Sequence, residues 1–444
     1  MSHLDNILFA ILLIIGFGYF FINVKKIIRN INLGGAVDRK DNPQARWKNM
    51  AMIALGQSKM VKRPIAGILH IIVYVGFVII NLELLEIVID GLFGTHRVFA
   101  FLGGFYDILI ASFEILAFLV LVAVIVFFIR RNIIKLKRFI HSDLKGWPKN
   151  DANYILYFEI TLMSLFLLMN ATDLHLQNIP GGYSHFIKAG SFPISQFIEP
   201  LFNGMSNELV MLLTDVFWWL HITGILIFLN YLYFSKHLHI LLAFPNTYFA
   251  DLNPLGQLDN LASVTAEVKM MMDPNADPFA AAPVTEDAVP SKFGASDIQD
   301  LNWVQLMNAY TCTECGRCTS SCPANLTGKK LSPRKIMMDT RDRMEEVGKN
   351  IDANKGVFVP DNKSLLNDYI TPEELWACTS CNACVEECPV NISPLSIIMD
   401  MRRYLVMEQS AAPMPINAMM TNIENNGAPW QYSQQDRLNW KNEN

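Results

Sequence analysis

Five long apolar runs with few charges occupy most of the first 234 positions: Ile7–Val24, Ile65–Ile89, Phe105–Ile129, Tyr154–Met169 and Leu209–Phe234. A helix needs roughly 20 such residues to cross the hydrocarbon of a bilayer, so the pattern predicts five transmembrane helices. Past position 244 the pattern changes. Phe244-Pro245-Asn246 is expected to stop the fifth helix, and a short polar, amphipathic stretch follows. Asp273-Pro274 through Val289-Pro290 is rich in Pro, Ala and Asp, cannot bury a core, and predicts an extended linker. Beyond it, Arg334–Val347 and Pro372–Ala377 are expected to be helical, and Ser332-Pro333 and Ser393-Pro394 each pair an N-cap with a first helical proline. The expected fold is all-α. It places a five-helix membrane bundle over 1–244, an amphipathic stretch and linker over 245–300, a helical cysteine-bearing domain over 301–410, and a partner-docking tail over 411–444.

Composition agrees with a membrane chain: 52% of the 444 residues are hydrophobic and only 17% charged. The charges also assign sides. Ten Lys and Arg lie between positions 25 and 63 and seven between 130 and 149, whereas the alternate loops offer Arg97 and Lys188. The positive-inside rule then puts the N-terminus outside, the basic loops in the cytoplasm of a bacterial inner membrane, and the cysteine-bearing domain in the cytoplasm too. The first span carries its positive residues after the apolar stretch, which predicts an uncleaved anchor rather than a secretory leader. A formal net charge of −5 gives no case for nucleic-acid binding.

All eight cysteines fall into two copies of C-x2-C-x2-C-x3-C-P. This is the spacing of the bacterial ferredoxin run, in which the fourth cysteine ligates the cluster of the other motif. The expected ligand sets are therefore Cys312, Cys315, Cys318 and Cys388 for one [4Fe-4S] cluster, and Cys378, Cys381, Cys384 and Cys322 for the other. Structural zinc has no need of a third equally spaced cysteine. Arg317 beside Cys318, with Lys329 and Lys330, could favour reduced clusters by positive charge, or be ordinary solvated surface.

Among the nine histidines, His70 in the second span and His221 and His239 in the fifth are hard to explain by solvation. Ionisable groups at membrane depth are costly and point to function. His221 and His239 are 18 residues apart, about five turns and about 27 Å along one continuous helix, so they are expected on one face able to hold two stacked haems. His237 is expected on roughly the opposite side. His70 would pair with His239 if the fifth helix continues past Lys236. Two arrangements stay open: two haems, the fourth ligand coming from His96, His175 or His185, or a single haem between His70 and His221. Otherwise those three outer histidines are expected to be solvated. Glu83, Glu86, Glu114, Glu159 and Asp215 form a second polar set; Glu83 and Glu86 are the candidates for moving protons to or from a quinone.

Two resemblances sharpen this picture. Trp219-Leu220-His221 through Lys236-His237-Leu238-His239 is similar to the last haem-bearing helix of the respiratory nitrate reductase gamma subunit family. Gly56-Gln57 through Arg63-Pro64-Ile65-Ala66-Gly67-Ile68-Leu69-His70 looks like the approach to that family's second helix, although its further histidine is Ile80 here. The cysteine region resembles the helical ferredoxin that forms the C subunit of heterodisulfide reductases. Asn422-Ile423-Glu424 through Pro429-Trp430 looks like the segment that precedes a CCG-containing catalytic domain in fused electron-transfer-flavoprotein:quinone oxidoreductases. The resemblance implies haem b in the bundle and, as partners, a separate protein with a CCG domain (heterodisulfide reductase-like), an electron-transfer flavoprotein, or both.

The expected role is that of a membrane-anchored electron-transfer subunit of a respiratory oxidoreductase. It would carry two [4Fe-4S] clusters and one or two haems b, exchange electrons with menaquinone or another quinone, and leave substrate oxidation to a partner. The rival roles are a redox sensor or scaffold, and quinol-driven supply of electrons to a cytoplasmic enzyme.

Overall fold

The computed structural model describes residues 3–179, 186–274 and 292–442. Five helices in it are long and apolar enough to cross a membrane: His3–Ile31, Pro64–Phe93, Gly104–Ile133, Trp147–Gln177 and Asn207–Phe234. Their ends follow the local chemistry. Pro64 fills the first turn of the second span, where no N–H is needed, and Gly94 closes that span in the left-handed region, donating to the Asp90 carbonyl. The Ser206 side chain accepts from the Leu209 N–H and opens the fifth. With lipid as apolar as the side chains, close backbone approach holds the bundle together. A Cβ at Gly76 would fall 2.4 Å from Val120 Cγ2, and one at Gly91 2.5 Å from the Phe9 ring.

Among the described residues the second half contains helices and no strand, only isolated bridges such as Gly35–Asn302. Helices Pro333–Ala353 and Pro394–Met407 are capped by Ser332 and Ser393, as the Ser-Pro pairs predict, and Pro372–Ala377 is helical. The core of this half contains Ile298, Leu306, Ile336, Met344, Ile397 and Met401, and it takes in Ile27, Ile31 and Leu238 from the membrane half. The two halves are thus docked. Gly35 donates to the Leu301 carbonyl (2.8 Å) and accepts from Trp303 (3.1 Å), Asn30 donates to the Tyr310 hydroxyl (2.8 Å), and a Cβ at Gly34 would meet the Trp303 nitrogen at 2.6 Å. Asp273 and Pro274 begin the expected linker; its remaining residues, from Asn275 on, lie outside the described residues, as does His185.

Three expectations are corrected. The fifth helix does not run unbroken to His239. Its α-helical part ends at Tyr231, and Ser235 is extended (φ −116°, ψ 157°) with its side chain accepting from the His237 N–H. Asp151 stabilises the break, accepting from the Lys236 N–H at 3.1 Å and from the Tyr231 hydroxyl at 2.6 Å. The break also overturns the placing of His237 on the opposite side from His239, because the two rings end up 5.4 Å apart.

Nor does Phe244-Pro245-Asn246 stop a helix; His239–Tyr248 runs through Pro245. Tertiary contacts override the proline here. Asn246 donates to the Val390 carbonyl (2.7 Å) and Arg46 binds the Tyr248 and Ala250 carbonyls at the helix end (3.2 and 3.0 Å). Finally, His96 and His175 are not simply solvated: His96 meets Asp173 at 3.0 Å and His175 meets Glu199 at 2.6 Å.

Candidate functional site

Each cysteine motif begins at the C-terminal end of a helix, Cys312 after Trp303–Thr311 and Cys378 after Pro372–Ala377. Two residues in the left-handed region then fold each loop back on itself: Glu314 (φ 54°) and Gly316 (φ 72°) in the first, Ser380 (φ 53°) and Asn382 (φ 59°) in the second. The thiols surround two small cavities. One, of ≈ 400 Å³, is lined by Cys312, Cys315, Cys318 and Cys388, with Cys384 also reaching it. The other, of ≈ 320 Å³, is lined by Cys322, Cys378, Cys381 and Cys384. Each cavity therefore draws the fourth cysteine of the opposite motif.

Backbone N–H groups already point at sulfur, Ile392 to Cys388 Sγ at 3.3 Å and Ser380 to Cys378 Sγ at 3.4 Å. Among the described residues no three His, Cys, Asp or Glu converge on a single metal ion. Burial pushes the free thiols of Cys312 and Cys384 up to about 12 and that of Cys388 up to about 11, so binding them to a metal releases protons.

The inner cavity, that of Cys312 and Cys388, faces the membrane half. Arg317, 3% exposed, donates to the Lys59 and Met60 carbonyls (3.1 and 3.0 Å). Arg63 pairs with Glu387 at 3.0 Å, Lys59 Nζ donates to Asn391 at 3.0 Å, and Arg334 donates to the Arg138 carbonyl at 3.0 Å. Lys236, next to the helix break, reaches across to Glu314, which also accepts from Arg341 at 2.7 Å. The outer cavity differs in that Cys381 is exposed.

His70 and His239 come together, their ring centroids 6.3 Å apart, with His237 beside them. The Lys236 carbonyl accepts from His239 Nδ1 (3.1 Å), which leaves Nε2 with its lone pair; the Leu162 carbonyl does the same for His221 (3.1 Å). His70 Nδ1 is buried without a hydrogen-bond partner. Two metal–nitrogen bonds of about 2 Å each, plus the two rings, span roughly 6 Å, so His70 and His239 are spaced as two residues that would hold one iron between them. His221 stands apart. It lines a cleft of ≈ 690 Å³ with Val73, Phe77, Ile80, Glu83 and Phe166.

At the other end of the bundle Glu83 and Glu86 are buried in a network built around Arg97, a residue to which the sequence alone assigns no role. Arg97 donates to Asp173 (2.8 Å), Asn170 (2.9 Å) and Glu83 (3.3 Å), while Tyr106 donates to Glu86 (2.8 Å). A cavity of ≈ 930 Å³ opens beside it, lined by Glu83, Glu86, His96, Arg97, Asp173 and Asp215 among others. Glu83 lines this cavity and the His221 cleft alike, and its Oε2 has no hydrogen-bond partner. The other intramembrane carboxylates divide. Glu114 is occupied by the Ser195 hydroxyl and the N–H groups of Ile194 and Ser195, while Glu159 lies 3.8 Å from His237. The available sequence signal for Arg97 was its isolation, with Lys188, as one of two cations in the loops after the second and fourth spans; Lys236 and Glu314 gave none.

The 4Fe-4S dicluster domain family matches residues 311–392, so this part of the chain is a 4Fe-4S domain. The chain is 31% identical over 433 residues to the probable iron-sulfur-binding oxidoreductase FadF of Bacillus subtilis, covering 91% of this chain and 55% of that protein. It is 27% identical over 435 residues to the EtfAB:quinone oxidoreductase of Syntrophomonas wolfei, covering 92% and 56%. It is also 33% identical over 108 residues to the C subunit of the ferredoxin/F(420)H(2)-dependent CoB-CoM heterodisulfide reductase of Methanosarcina acetivorans, covering 24% of this chain and 52% of that one. The chain thus spans about half the length of these curated relatives. No solved structure matches. The relatives are iron-sulfur oxidoreductases and ferredoxin-type subunits, in keeping with an electron-carrying oxidoreductase component that associates with a membrane through five apolar helices.

Proposed function

We propose that the chain carries electrons between a cytoplasmic partner and a quinone in a bacterial inner membrane, as the anchored electron-transfer part of a respiratory oxidoreductase. Its N-terminus faces outside and its cysteine half faces the cytoplasm. The observation that carries this reading is a series of sites through both halves: the exposed cavity at Cys381, the inner cavity at Cys312, the His70–His239 pair, the His221 cleft, and the Glu83 cavity at the far end. Cys312, Cys315, Cys318 and Cys388 hold one [4Fe-4S] cluster, and Cys378, Cys381, Cys384 and Cys322 the other. His70 and His239 hold haem b in a bundle of the nitrate reductase gamma type, and the His221 cleft is the place of a second. When bound, these groups carry one electron at a time without making or breaking bonds at the protein.

The chain's own residues do the rest. The Lys236 and Leu162 carbonyls hold the two imidazoles in the tautomer that offers Nε2. Glu83, shared by cleft and cavity, is placed to pass protons to a quinone, menaquinone or another, which needs them as it takes up electrons. The electron donor on the cytoplasmic side is a heterodisulfide reductase-like protein with a CCG domain or an electron-transfer flavoprotein; the names of two relatives contain heterodisulfide reductase and EtfAB.

The test is the iron and haem content of the purified chain with its reduced-minus-oxidised visible spectrum. The reading expects about eight non-haem irons per chain and a b-type band that His239→Ala diminishes. Zinc in place of iron, or no band, would refute it.

A further inference from the structure

We propose that the inner cysteine site has the higher reduction potential of the two, because cations of the docked membrane loops surround it, so that electrons run from the exposed outer site towards the membrane. This rests on the two-cluster reading above.

The internal repeat supplies its own control. The two loops share a backbone, with φ 54° and 72° at Glu314 and Gly316 against 53° and 59° at Ser380 and Asn382, and both sites have backbone N–H groups directed at sulfur, Ile392 to Cys388 at 3.3 Å and Ser380 to Cys378 at 3.4 Å among them. What differs is charge. In the inner loop Arg317 stands where the outer loop has Ala383. Arg138 lies over the same loop, its Cβ 3.6 Å from where a Cβ on Gly316 would be. Lys59 Nζ donates to the Val385 carbonyl (3.3 Å) and to Asn391 (3.0 Å), just ahead of and behind Cys388.

The anions near this site are each matched by a cation: Glu314 by Lys236 and Arg341, Glu387 by Arg63, Glu386 by Lys62, and Asp143 by Arg334. Lys59 and Arg317 donate to uncharged groups, and among the described residues neither they nor Arg138 has an acidic partner in an ion pair, so their charge is left over. At the outer site the corresponding surplus among the described residues is Arg402, which donates to the Leu375 and Cys378 carbonyls and lies over Trp376 at 4.8 Å. Lys330 and Lys335 are both paired with carboxylates.

Adding one electron makes a cluster one unit more negative, and nearby positive charge at low dielectric favours that state. Exposure of Cys381 to water pulls the other way, yet water also screens, while the three inner cations are partly or wholly buried. A reduced flavin or iron–sulfur donor thus gives single electrons at the Cys381 face, each passes inward with no bond made or broken, and the quinone takes two with two protons.

The experiment is an EPR-monitored potentiometric titration of the full-length chain in detergent. Two centres are expected. Arg138→Gln should lower the higher potential and leave the lower one in place, changing the sharing of an electron between them on the order of tenfold. Arg402→Gln should lower the other potential alone. If Arg138→Gln fails to load iron, Lys59→Gln carries the same expectation. The proposal is overturned if these inner variants lower the lower-potential centre, move both alike, or move neither. Iron near zero in the unaltered chain would instead strike the two-cluster reading beneath it, and the proposal would fall with that reading.

Discussion

Lys236 at one end of the bundle and Arg97 at the other are both buried cations held between two carboxylates, yet they hold different things together. Lys236 lies between Asp151, on the fourth span, and Glu314, on the first cysteine loop, so its charge joins the two halves of the chain. Arg97 lies between Asp173 and Glu83, both within the bundle, and its network borders a cavity lined by Glu83, whose Oε2 lacks a hydrogen-bond partner. Buried polar atoms normally find partners, so an orphan on the wall of a cavity marks a place prepared for something else. One device clamps and the other lines a site.

Substitutions can break this contrast, and the largest effect is expected at the cavity end. Arg97→Met leaves Asp173 and Glu83 buried without their cation and should cost about 3–5 kcal/mol, read as a fall in thermal stability with iron content per folded chain unchanged. Lys236→Met should cost less, about 1–3 kcal/mol, because Glu314 keeps Arg341; the sign of lost docking would be faster proteolysis between the halves.

Asp143 tests the same docking seam by pH. Burial pushes its carboxyl up, but the Ser332 hydroxyl and the Arg334 guanidinium outweigh this and hold it below its usual 3.8. A group lowered on folding contributes fully above its unfolded value and loses that contribution as pH falls through the folded one. Docking should therefore weaken only below about pH 4. Asp143→Asn should remove that dependence, as proteolysis against pH would record. The smallest structural effect is expected for Glu83→Gln, about 1 kcal/mol, since it weakens one hydrogen bond of Arg97, which keeps Asp173, and changes no volume. Quinone reduction should nevertheless slow by about 100-fold, which separates the cavity's role from its stability.

The apolar runs, the Ser-Pro caps and the cysteine spacing were legible because each is a local pattern, and the five long helices, Ser332, Ser393 and the gathering of the thiols around two cavities follow it. The break at Ser235 was not legible. It depends on Asp151, some 84 residues away, and the five-turn spacing of His221 and His239 assumed a continuity that this carboxylate ends. His70 and His239 still come together, because both lie at the same end of the bundle whichever way the chain turns. The basic loops were read for membrane orientation alone. In the folded chain Lys59, Lys62, Arg63 and Arg138 also face the cysteine half, a second demand on the same charges that no count of Lys and Arg reveals.

The central claim is that an electron entering at the cysteines reaches the histidine-bound centre within one polypeptide. Anaerobic stopped-flow of the purified chain against a photoreduced soluble flavin tests it most directly, with the b-type band followed in the unaltered chain and in Cys388→Ser. The account predicts rapid growth of the band in the first and its loss or marked slowing in the second. Equal growth in both would contradict it, since electrons would then reach the bundle without passing the inner cysteine site.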